Sequence, residues 1–482
     1  MTFLQQLQLT APELILSTGA IILMLVAAWA GDKATKLISC ASVALFALAG
    51  LSLCGTAGHG GTAFYGLYVA DSFGAFAKVL IYVAAAVCIA IAPRWFEAND
   101  RQRAEYPVII LLAACGMGMM VSAIDLLTLY VGLELQSLAA YVLASFSQKD
   151  SRSAEAGLKY FILGSLASGI LLYGISLLYG FSGTTHYAGI AAAFGTGAPS
   201  LGLIFGMVFV LAGLAFKIAA VPFHMWTPDV YEGAPTPVTT FFASAPKVAA
   251  VALLVRISVV AMGPATHQWQ QIITFSALAS IVLGAAGAIG QSNIKRLLAY
   301  SSINNVGFAL IGLAAGTAAG VAGIMSYMVI YVAMTLGSFI CVMQMRDADG
   351  APVESIASLA GLSRSRPGLA AAFAVFMFSL AGIPPLLGFW AKFLVFDAAV
   401  AAHLTPLAAI GIAASVIGAF YYLKIIKIMY FDAPEGAPFA PATSKLEGAL
   451  ITICALAVSP LGYLALKPLA IYAGAAAKAL FS

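Results

Sequence analysis

The chain has 482 residues, of which 62% are hydrophobic and only 9% are charged. Soluble globular domains carry roughly 25% charged residues, so this composition excludes a soluble protein and predicts a membrane protein that crosses the bilayer many times. The net charge of +4 is small and forms no clustered basic face, which argues against a nucleic-acid partner.

Nothing in the sequence predicts a cofactor or a metal ion within this chain. The six cysteines are far apart, lie in or beside apolar segments, and form no C-x-x-C pair of the kind that holds zinc or iron–sulfur clusters. No G-x-G-x-x-G turn on a strand-to-helix junction and no haem or metal constellation occurs. The first apolar segment has no basic stretch before it and has Glu13 at its entrance, so we do not expect a cleavable signal peptide.

Apolar runs of about 20 residues, the length that crosses a bilayer, recur along the whole chain. They predict an all-α polytopic membrane protein with about fourteen transmembrane helices. In chain order these spans lie near 12–30, 37–54, 69–92, 106–122, 125–146, 155–180, 200–225, 237–261, 270–289, 296–315, 321–344, 368–396, 405–430 and 446–466. Clusters of Gly and Pro separate several of them, and no soluble domain fits between them.

Most basic residues outside these spans lie on one side of the predicted bundle. They are Lys33, Lys36, Arg94, Arg101, Arg103, Lys149, Arg152, Lys295, Arg296, Arg346, Arg364, Arg366, Lys424, Lys427 and Lys445. The loops on the opposite side contain none, and Lys467 and Lys478 lie there in the C-terminal tail. By the positive-inside rule the first side is cytoplasmic, so both termini are predicted to be periplasmic.

Charged residues inside a span are costly in lipid and therefore indicate function. In the first half of the chain these are Glu134 in the fifth span, Lys217 in the seventh and Lys247 in the eighth. Lys247 lies about ten residues into its span, roughly 15 Å deep at 1.5 Å per residue, and Glu134 lies at a similar depth. Lys159 lies only about four residues into the sixth span, one helical turn after Glu155. There it either supports the buried charges or extends to the membrane interface.

Three other charges near the spans have simpler interpretations. We predict that Lys78 is a structural or lipid-facing charge, and that Arg256 anchors its helix at the interface or extends its head group there. We predict that Asp125 is the N-cap of the fifth helix.

The seventh span is interrupted in the stretch Phe216–Pro237, which reads FKIAAVPFHMWTPDVYEGAPTP. Pro222 has no N–H to donate to the carbonyl of Ile218, so this carbonyl is left free one residue from Lys217. Broken helices at membrane depth are tolerated where they are buried in protein or line a water-filled cavity, as in the ion sites of transporters. The pattern therefore predicts a transport site at this break.

The twelfth span contains the same device. Pro384 and Pro385 leave the carbonyls of Leu380 and Ala381 without partners, and Lys392 follows them. Two broken helices separated by five helices predict two five-helix repeats of inverted topology, an architecture whose sites lie at the membrane midplane. The predicted division is three N-terminal helices in 1–105, the repeats in 106–262 and 263–430, and a C-terminal helix and tail in 431–482.

Buried lysines are suited to proton transfer because desolvation disfavours the charged form while a nearby carboxylate favours it. A Glu–Lys pair of variable separation therefore changes its proton affinity, and it titrates as one coupled unit. We expect Glu134 and Lys217 to be this pair, Lys247 to be the next relay and Lys392 the last. His224, about two turns after Lys217, is a supporting candidate near neutral pH. A purely structural network of buried ion pairs is the alternative interpretation.

Three stretches make the chain resemble a known family. They are FKIAAVPFHMWTPDVYEGAPTPV from Phe216, QSNIKRLLAYSSINNVGF from Gln291 and SLAGIPPLLGFWAKF from Ser379. Together they are similar to the antiporter-like subunits of respiratory complex I, which are related to the large subunits of multi-subunit sodium/proton antiporters. The resemblance covers nearly the whole chain. The residues Trp226–Pro235 are similar to those of the N-type branch of the family, the bacterial counterpart of mitochondrial chain 2. It implies proton translocation in a bacterial inner membrane, driven by NADH oxidation and quinone reduction in other subunits.

The resemblance also implies roles for individual residues. Glu134 and Lys217 would be the paired charges of the first half-channel, and Lys247 the central connector. Lys392 would be the lysine of the second half-channel, facing the periplasmic exit. Lys159 would modulate the first pair.

The partners implied by the resemblance are subunits M and K, the lateral helix of subunit L, and membrane lipid. The whole complex would use FMN, iron–sulfur clusters and quinone, and the resemblance places none of them in this chain. Two other functions stay open at this point. One is a subunit of a multi-subunit cation/proton antiporter that works from an ion gradient alone, and the other is a scaffold without a transport role.

Overall fold

The computed structural model describes residues 2–99, 102–197, 199–347, 349–434, 439–441 and 444–481. Arg101, one of the basic residues that orient the predicted bundle, lies outside them. The described chain is helical almost throughout, with one short antiparallel hairpin of β1 (Gly61–Ala63) and β2 (Tyr68–Ala70), in which Thr62 lies opposite Val69.

The helices form three groups along the chain. The first group is α1 (Phe3–Leu9), α2 (Ala11–Ala30), α3 (Thr35–Ser52), α4 (Thr56–His59) and α5 (Ser72–Glu97). The second group is α6 (Glu105–Ser122), α7 (Leu126–Ala144), α8 (Ser151–Ser182), α9 (Tyr187–Gly195), α10 (Leu201–Ile218), α11 (Trp226–Gly233), α12 (Thr236–Phe242) and α13 (Ala245–Arg256). The third group is α14 (Thr266–Ile289), α15 (Ile294–Ala314), α16 (Ala318–Met343), α17 (Leu362–Ser365), α18 (Pro367–Ala381), α19 (Leu387–Ala401), α20 (Thr405–Phe431), α21 (Lys445–Val458) and α22 (Leu466–Lys478).

These helices confirm an all-α polytopic membrane protein. Within the described residues, 11 helical spans are long and apolar enough to cross a bilayer, or 12 if the bent pair α21 and α22 forms one more. The predicted number of about fourteen is not confirmed. One reason is that α2 and α3 follow each other through a single helical turn at Gly31–Ala34, and another is that α18 has only 15 residues. The division of the chain into 1–105, 106–262, 263–430 and 431–482 stays a prediction.

The predicted breaks of the seventh and twelfth spans are both present, and they share one backbone plan. Helix α10 ends at Ile218, the next residue is Ala219 with a left-handed φ of +60°, and α11 starts after Pro222. Helix α18 ends at Ala381 and is followed by Gly382 with φ +84°. In both breaks a left-handed residue therefore follows directly after the last helical residue.

The two breaks lie near a densely packed centre. Helix α15 and the run α12–α13 are buried along nearly their whole length, whereas α8 and α20 each expose a row of aliphatic and aromatic side chains. Helix α8 packs along α10 and α11, and α14 packs between α15 and α20. The helix ends at the two breaks, Ile218 and Ala381, are therefore buried in protein, although Pro222 and Pro385 in the connecting segments are exposed.

Lys78 is an internal charge. Its Nζ lies 2.6 Å from Glu13 Oε1, and the side chain is 1% exposed. The hydroxyl of Tyr68 donates to Glu13 Oε2 at 2.9 Å. The lipid-facing interpretation of Lys78 is therefore wrong, because the lysine is enclosed by α2, β2 and its own helix, and the structural interpretation stays a prediction.

Arg256 and Asp125 also have defined partners. The guanidinium of Arg256 donates two hydrogen bonds of 2.7 Å to the carboxylate of Asp71, and the side chain is buried. The expectation that Arg256 extends to the interface is therefore wrong. Asp125 caps α7 as predicted, since its carboxylate accepts from the backbone N–H groups of Leu127 and Thr128.

Candidate functional site

Lys217 lies at the inner end of the first break. It is the penultimate residue of α10, and its side chain turns toward α7, where Nζ donates to Ser137 Oγ at 2.8 Å and to Tyr141 Oη at 3.3 Å. These two acceptors are four residues apart and so share one face of α7. The ammonium is buried and held by neutral oxygens.

Glu134 is on the same helix, three residues before Ser137. Its Oε1 atom is buried and has no hydrogen-bond partner in the described part of the chain. Lys217 and Glu134 form no direct ion pair there, because the ammonium binds the two hydroxyls one and two turns further along α7. The structure therefore brings the predicted pair to one helix face without joining them, and their functional pairing stays a prediction.

Lys247 binds the carbonyl that the first break leaves free. It lies in the first turn of α13, is 1% exposed, and donates from Nζ to Ile218 O at 2.8 Å. The same Nζ lies 5.6 Å from the centre of the Trp226 ring, at the start of α11. The carbonyl predicted to be free because of Pro222 is thus the main ligand of the predicted central relay.

Lys392 has the same relation to the second break. Its Nζ donates to Ala381 O at 2.9 Å and to Ser415 Oγ at 3.0 Å, and it lies 4.5 Å from the centre of the Phe308 ring. Ala381 and Ile218 occupy equivalent positions, each directly before the left-handed residue of its break. Each break therefore presents one lone carbonyl to one buried lysine, although the lysines come from different places in the chain.

Lys159 lies at the edge of the site. It pairs with Glu155 at 2.7 Å, as the spacing of four residues predicts, and also with Asp229 at 2.8 Å. Arg296 from α15 binds the other oxygen of Asp229 at 2.6 Å. Burial raises the pKa of Asp229, but the hydrogen bonds from Lys159 and Arg296 outweigh it and hold that pKa below its usual range.

A second ion cluster continues from Asp229 along the same face. Lys295 is buried and donates to the carbonyls of Glu232 and Ala234 at the end of α11, and to Glu354 Oε1 at 2.9 Å. Arg152 at the start of α8 reaches both Glu232 and Glu354. These side chains line a polar cavity of about 600 Å³. Burial raises the pKa of Glu354, but Lys295, Asn293 and Arg152 together lower it further than burial raises it.

His224 is separate from the lysines. It lies between Pro222 and α11, is half-buried, and its Nδ1 has no hydrogen-bond partner in the described structure. The break turns the chain away from the axis of α10, so the two helical turns counted between Lys217 and His224 do not exist. A supporting role for His224 stays a prediction.

Several side chains in the site were not selected from the sequence. Ser137 and Tyr141 are the ligands of Lys217, Asp229 is a partner of Lys159, and Ser415 is a ligand of Lys392. A signal existed for Asp229, because a carboxylate inside an otherwise apolar break motif needs a partner. Hydroxyl residues carry no such signal, since Ser and Tyr are common in membrane helices. Among the described residues, no group of three or more His, Cys, Asp and Glu side chains could hold a metal ion.

The chain is similar to membrane subunits of NADH:quinone oxidoreductases and Mrp antiporters. A family model described as NADH:quinone oxidoreductase/Mrp antiporter, TM matches residues 123–418. The NADH-quinone oxidoreductase subunit N of Rhizorhabdus wittichii is 70% identical over 482 residues, which is 100% of each chain. That of Sphingopyxis alaskensis is 61% identical, over 98% of this chain and 99% of the relative. These matches confirm the resemblance found in the three sequence stretches.

Solved structures give the same relationship. A chain of respiratory complex I from Thermus thermophilus with bound aureothin has a TM-score of 0.82 and 32% identity, covering 95% of this chain and 98% of that one. A chain of the Mrp complex from Dietzia sp. DQ12-45-1b has a TM-score of 0.85 at 22% identity, covering 99% of this chain and 98% of that one. The second match shows a shared fold.

Proposed function

Because this chain belongs to the NADH:quinone oxidoreductase/Mrp antiporter membrane family, we propose that it is the proton-translocating N-type subunit of a bacterial NADH-quinone oxidoreductase. The observation that carries the proposal is the state of three buried lysines. Lys217, Lys247 and Lys392 lie at two helix breaks and bind neutral oxygens rather than carboxylates. Charged side chains at such depth are rare in membrane proteins unless they serve transport.

Neutral ligands make these lysines responsive to small movements. Burial disfavours an ammonium, and hydrogen bonds to it favour the charged form, so losing or gaining one bond changes the proton occupancy. Each tenfold change in occupancy corresponds to about 1.4 kcal/mol, which is the size of one hydrogen bond to a charged group. A shift of a helix end by a fraction of a turn is sufficient to make or break the bond between Lys247 and Ile218.

The relay begins with Glu134 and Lys217. Glu134 has a buried oxygen without a partner among the described residues, and Lys217 is bound by Ser137 on the same helix. Moving the ammonium from Ser137 to Glu134 would stabilise its charge, and returning it would favour release. Protons then pass to Lys247 and finally to Lys392. Lys159 and His224 support the relay from its edge.

The driving reaction takes place in other subunits. FMN, iron–sulfur clusters and quinone are expected there, and this chain contributes proton transfer to the translocase without redox chemistry of its own. The expected neighbours are subunits M and K and the lateral helix of subunit L, with membrane lipid against the exposed faces of α8 and α20.

The side that carries Arg152 and Lys295 is proposed to be cytoplasmic, with both termini periplasmic. Two observations support a single basic face. Arg152 and Lys295 both bind Glu354, in the loop after α16. Arg103, in the connection between α5 and α6, pairs with Asp32, in the turn between α2 and α3. Reporter fusions at the C-terminus test the orientation. A periplasmic C-terminus should give active alkaline phosphatase and no fluorescence from a fluorescent protein that matures only in the cytoplasm.

The test combines composition and transport. The tagged chain is extracted in mild detergent and its companions are identified, and NADH oxidation and proton uptake are measured in inverted membrane vesicles. We expect NADH-oxidising and quinone-site subunits to co-purify. We expect Lys247→Met and Lys392→Met to lower proton uptake and NADH turnover together, whereas Lys467→Met, at an exposed position of α22, should leave both unchanged.

The proposal fails if both buried-lysine variants assemble and retain full pumping. Purification with small membrane subunits alone, together with sodium-dependent proton transport without NADH, would instead identify a cation/proton antiporter. The fold shared with the Mrp chain makes this the second candidate.

A further inference from the structure

Trp226 occupies a central position that the proposed relay does not use. It starts α11, is 2% exposed, and donates from Nε1 to Phe216 O at 2.9 Å. Phe216 is the residue directly before Lys217. The indole therefore joins the two ends of the broken helix and gives the carbonyl of Phe216 a second donor, beside the N–H of Ala219 at 3.0 Å.

The ring of Trp226 also connects the two lysines of the first break. Lys247 Nζ lies 5.6 Å from the ring centre, within the range of a cation–π contact. Tyr160 stacks on the indole with centres 4.4 Å apart and planes inclined by 7°. Tyr160 in turn contacts Tyr141 edge to face at 5.0 Å, and Tyr141 accepts a hydrogen bond from Lys217. The aromatic cluster of Trp226, Tyr160 and Tyr141 thus touches both ammonium groups.

The ion cluster also holds the first turn of α11, through Asp229. Asp229 follows Trp226 by three residues, so both lie on one turn of a helix of eight residues. Lys159 and Arg296 bind the two oxygens of Asp229. Lys159 precedes Tyr160 directly in α8, so the salt bridge and the stacked ring pair fasten the same two helices side by side. A movement of Asp229 relative to α8 must therefore move the indole.

We propose that Trp226 is a positioning residue that couples the Asp229 ion cluster to the proton occupancy of Lys217 and Lys247. The inference rests on the proposed relay function of these lysines. Tilting α11 changes two contacts at once: the cation–π contact with Lys247 and the hydrogen bond to the carbonyl of Phe216, the residue before Lys217. The surface cluster and the buried lysines then respond as one unit through a rigid aromatic link.

The test compares replacements at Trp226 with a matched tryptophan. Trp269 is equally buried and donates an equivalent hydrogen bond of 3.0 Å to Met262 O, but it lies in α14 away from the lysines. Proton uptake per NADH oxidised is measured in the assembled complex for Trp226→Leu, Trp226→Phe and Trp269→Leu. We expect Trp226→Leu to lower this ratio, because loss of a cation–π contact changes the proton affinity of Lys247 by about 2- to 30-fold. Trp226→Phe, which keeps a ring, should recover part of the loss, and Trp269→Leu should leave the ratio unchanged.

A double-mutant cycle with Asp229→Asn separates coupling from a local packing effect. If Trp226 transmits the state of Asp229, the double variant with Trp226→Leu pumps no less than Trp226→Leu alone. Additive losses, or an equal loss in Trp269→Leu, would overturn the inference. If Lys247→Met loses pumping while both Trp226 variants keep it, this inference alone fails. Full pumping in Lys247→Met would instead refute the relay function.

Discussion

The partly buried carboxylate of Glu354 fastens the loop after α16 to the body of the protein, and its neutralisation has a calculable effect. Oε1 accepts from Lys295 at 2.9 Å, and Oε2 accepts from Asn293 and Arg152 at 3.0 Å each. Glu354→Gln keeps the shape of the side chain and removes its charge. One amide oxygen remains to accept hydrogen bonds, while the NH₂ group faces donors.

Hydrogen bonds to charged groups contribute about 1.5–3 kcal/mol and neutral ones about 0.5–1.5 kcal/mol. The substitution should therefore weaken the closed loop by about 1–3 kcal/mol. At 1.36 kcal/mol per factor of ten, local opening becomes about 5- to 150-fold more frequent. The readout is amide hydrogen exchange at Ile294 and Ile356, whose N–H groups donate across the loop to Glu354 O and Ser292 O at 2.8 Å.

The control is an exposed carboxylate in a weak pair. Glu97 lies 3.8 Å from Lys36, with both side chains more than half exposed, and such pairs contribute about 0–1 kcal/mol. Glu97→Gln should leave the exchange of Ile294 and Ile356 unchanged. If Glu354→Gln also changes the exchange rates of Ile294 and Ile356 by less than about a factor of two, the carboxylate does not hold the loop, and these contacts do not stabilise it.

Three other predictions concern acid sensitivity and the two breaks. The folded state lowers the pKa of Glu354, so the stability that this carboxylate contributes is complete above its unfolded pKa of about 4.3 and is lost as the pH falls through the lower folded value. Amide exchange in the loop, measured against pH, should therefore speed up in acid, and this pH dependence should disappear in Glu354→Gln. Ala219→Gly should raise the unfolding free energy in detergent by about 1 kcal/mol. An alanine in the left-handed conformation costs about 1–2 kcal/mol, and the larger unfolded-state entropy of glycine offsets part of the gain. If the unfolding free energy does not rise, the backbone at Ala219 is unstrained. Gly388→Ala should prevent correct assembly, since its Cβ would lie 1.8 Å from Ser379 O, whereas Gly50→Ala, with open space around it, should assemble normally; equal assembly of the two would contradict the packing of α18 against α19.

The amino-acid sequence by itself determined the class of protein and the chemistry of its breaks. A chain with 62% hydrophobic residues in runs of about 20 exposes more apolar surface than water tolerates, so composition and run length already require a membrane. The missing N–H of Pro222 depends on one residue, so the free carbonyl of Ile218 could be predicted without any knowledge of packing. The pairing of Lys159 with Glu155 follows from the period of a helix in the same way.

Tertiary structure decided which groups meet. Lys247 is 29 residues from Ile218, and Ser137 is 80 residues from Lys217, so no helical period relates either pair. The number of crossing helices was also decided at this level, since turns and breaks depend on how neighbouring helices cover the exposed backbone. Covalent chemistry and local periodicity reach about four residues along a chain, and beyond that distance the packing of whole helices selects each partner. For this reason the sequence could identify candidate free carbonyls, while the fold alone assigned Lys247 to Ile218 and Lys392 to Ala381.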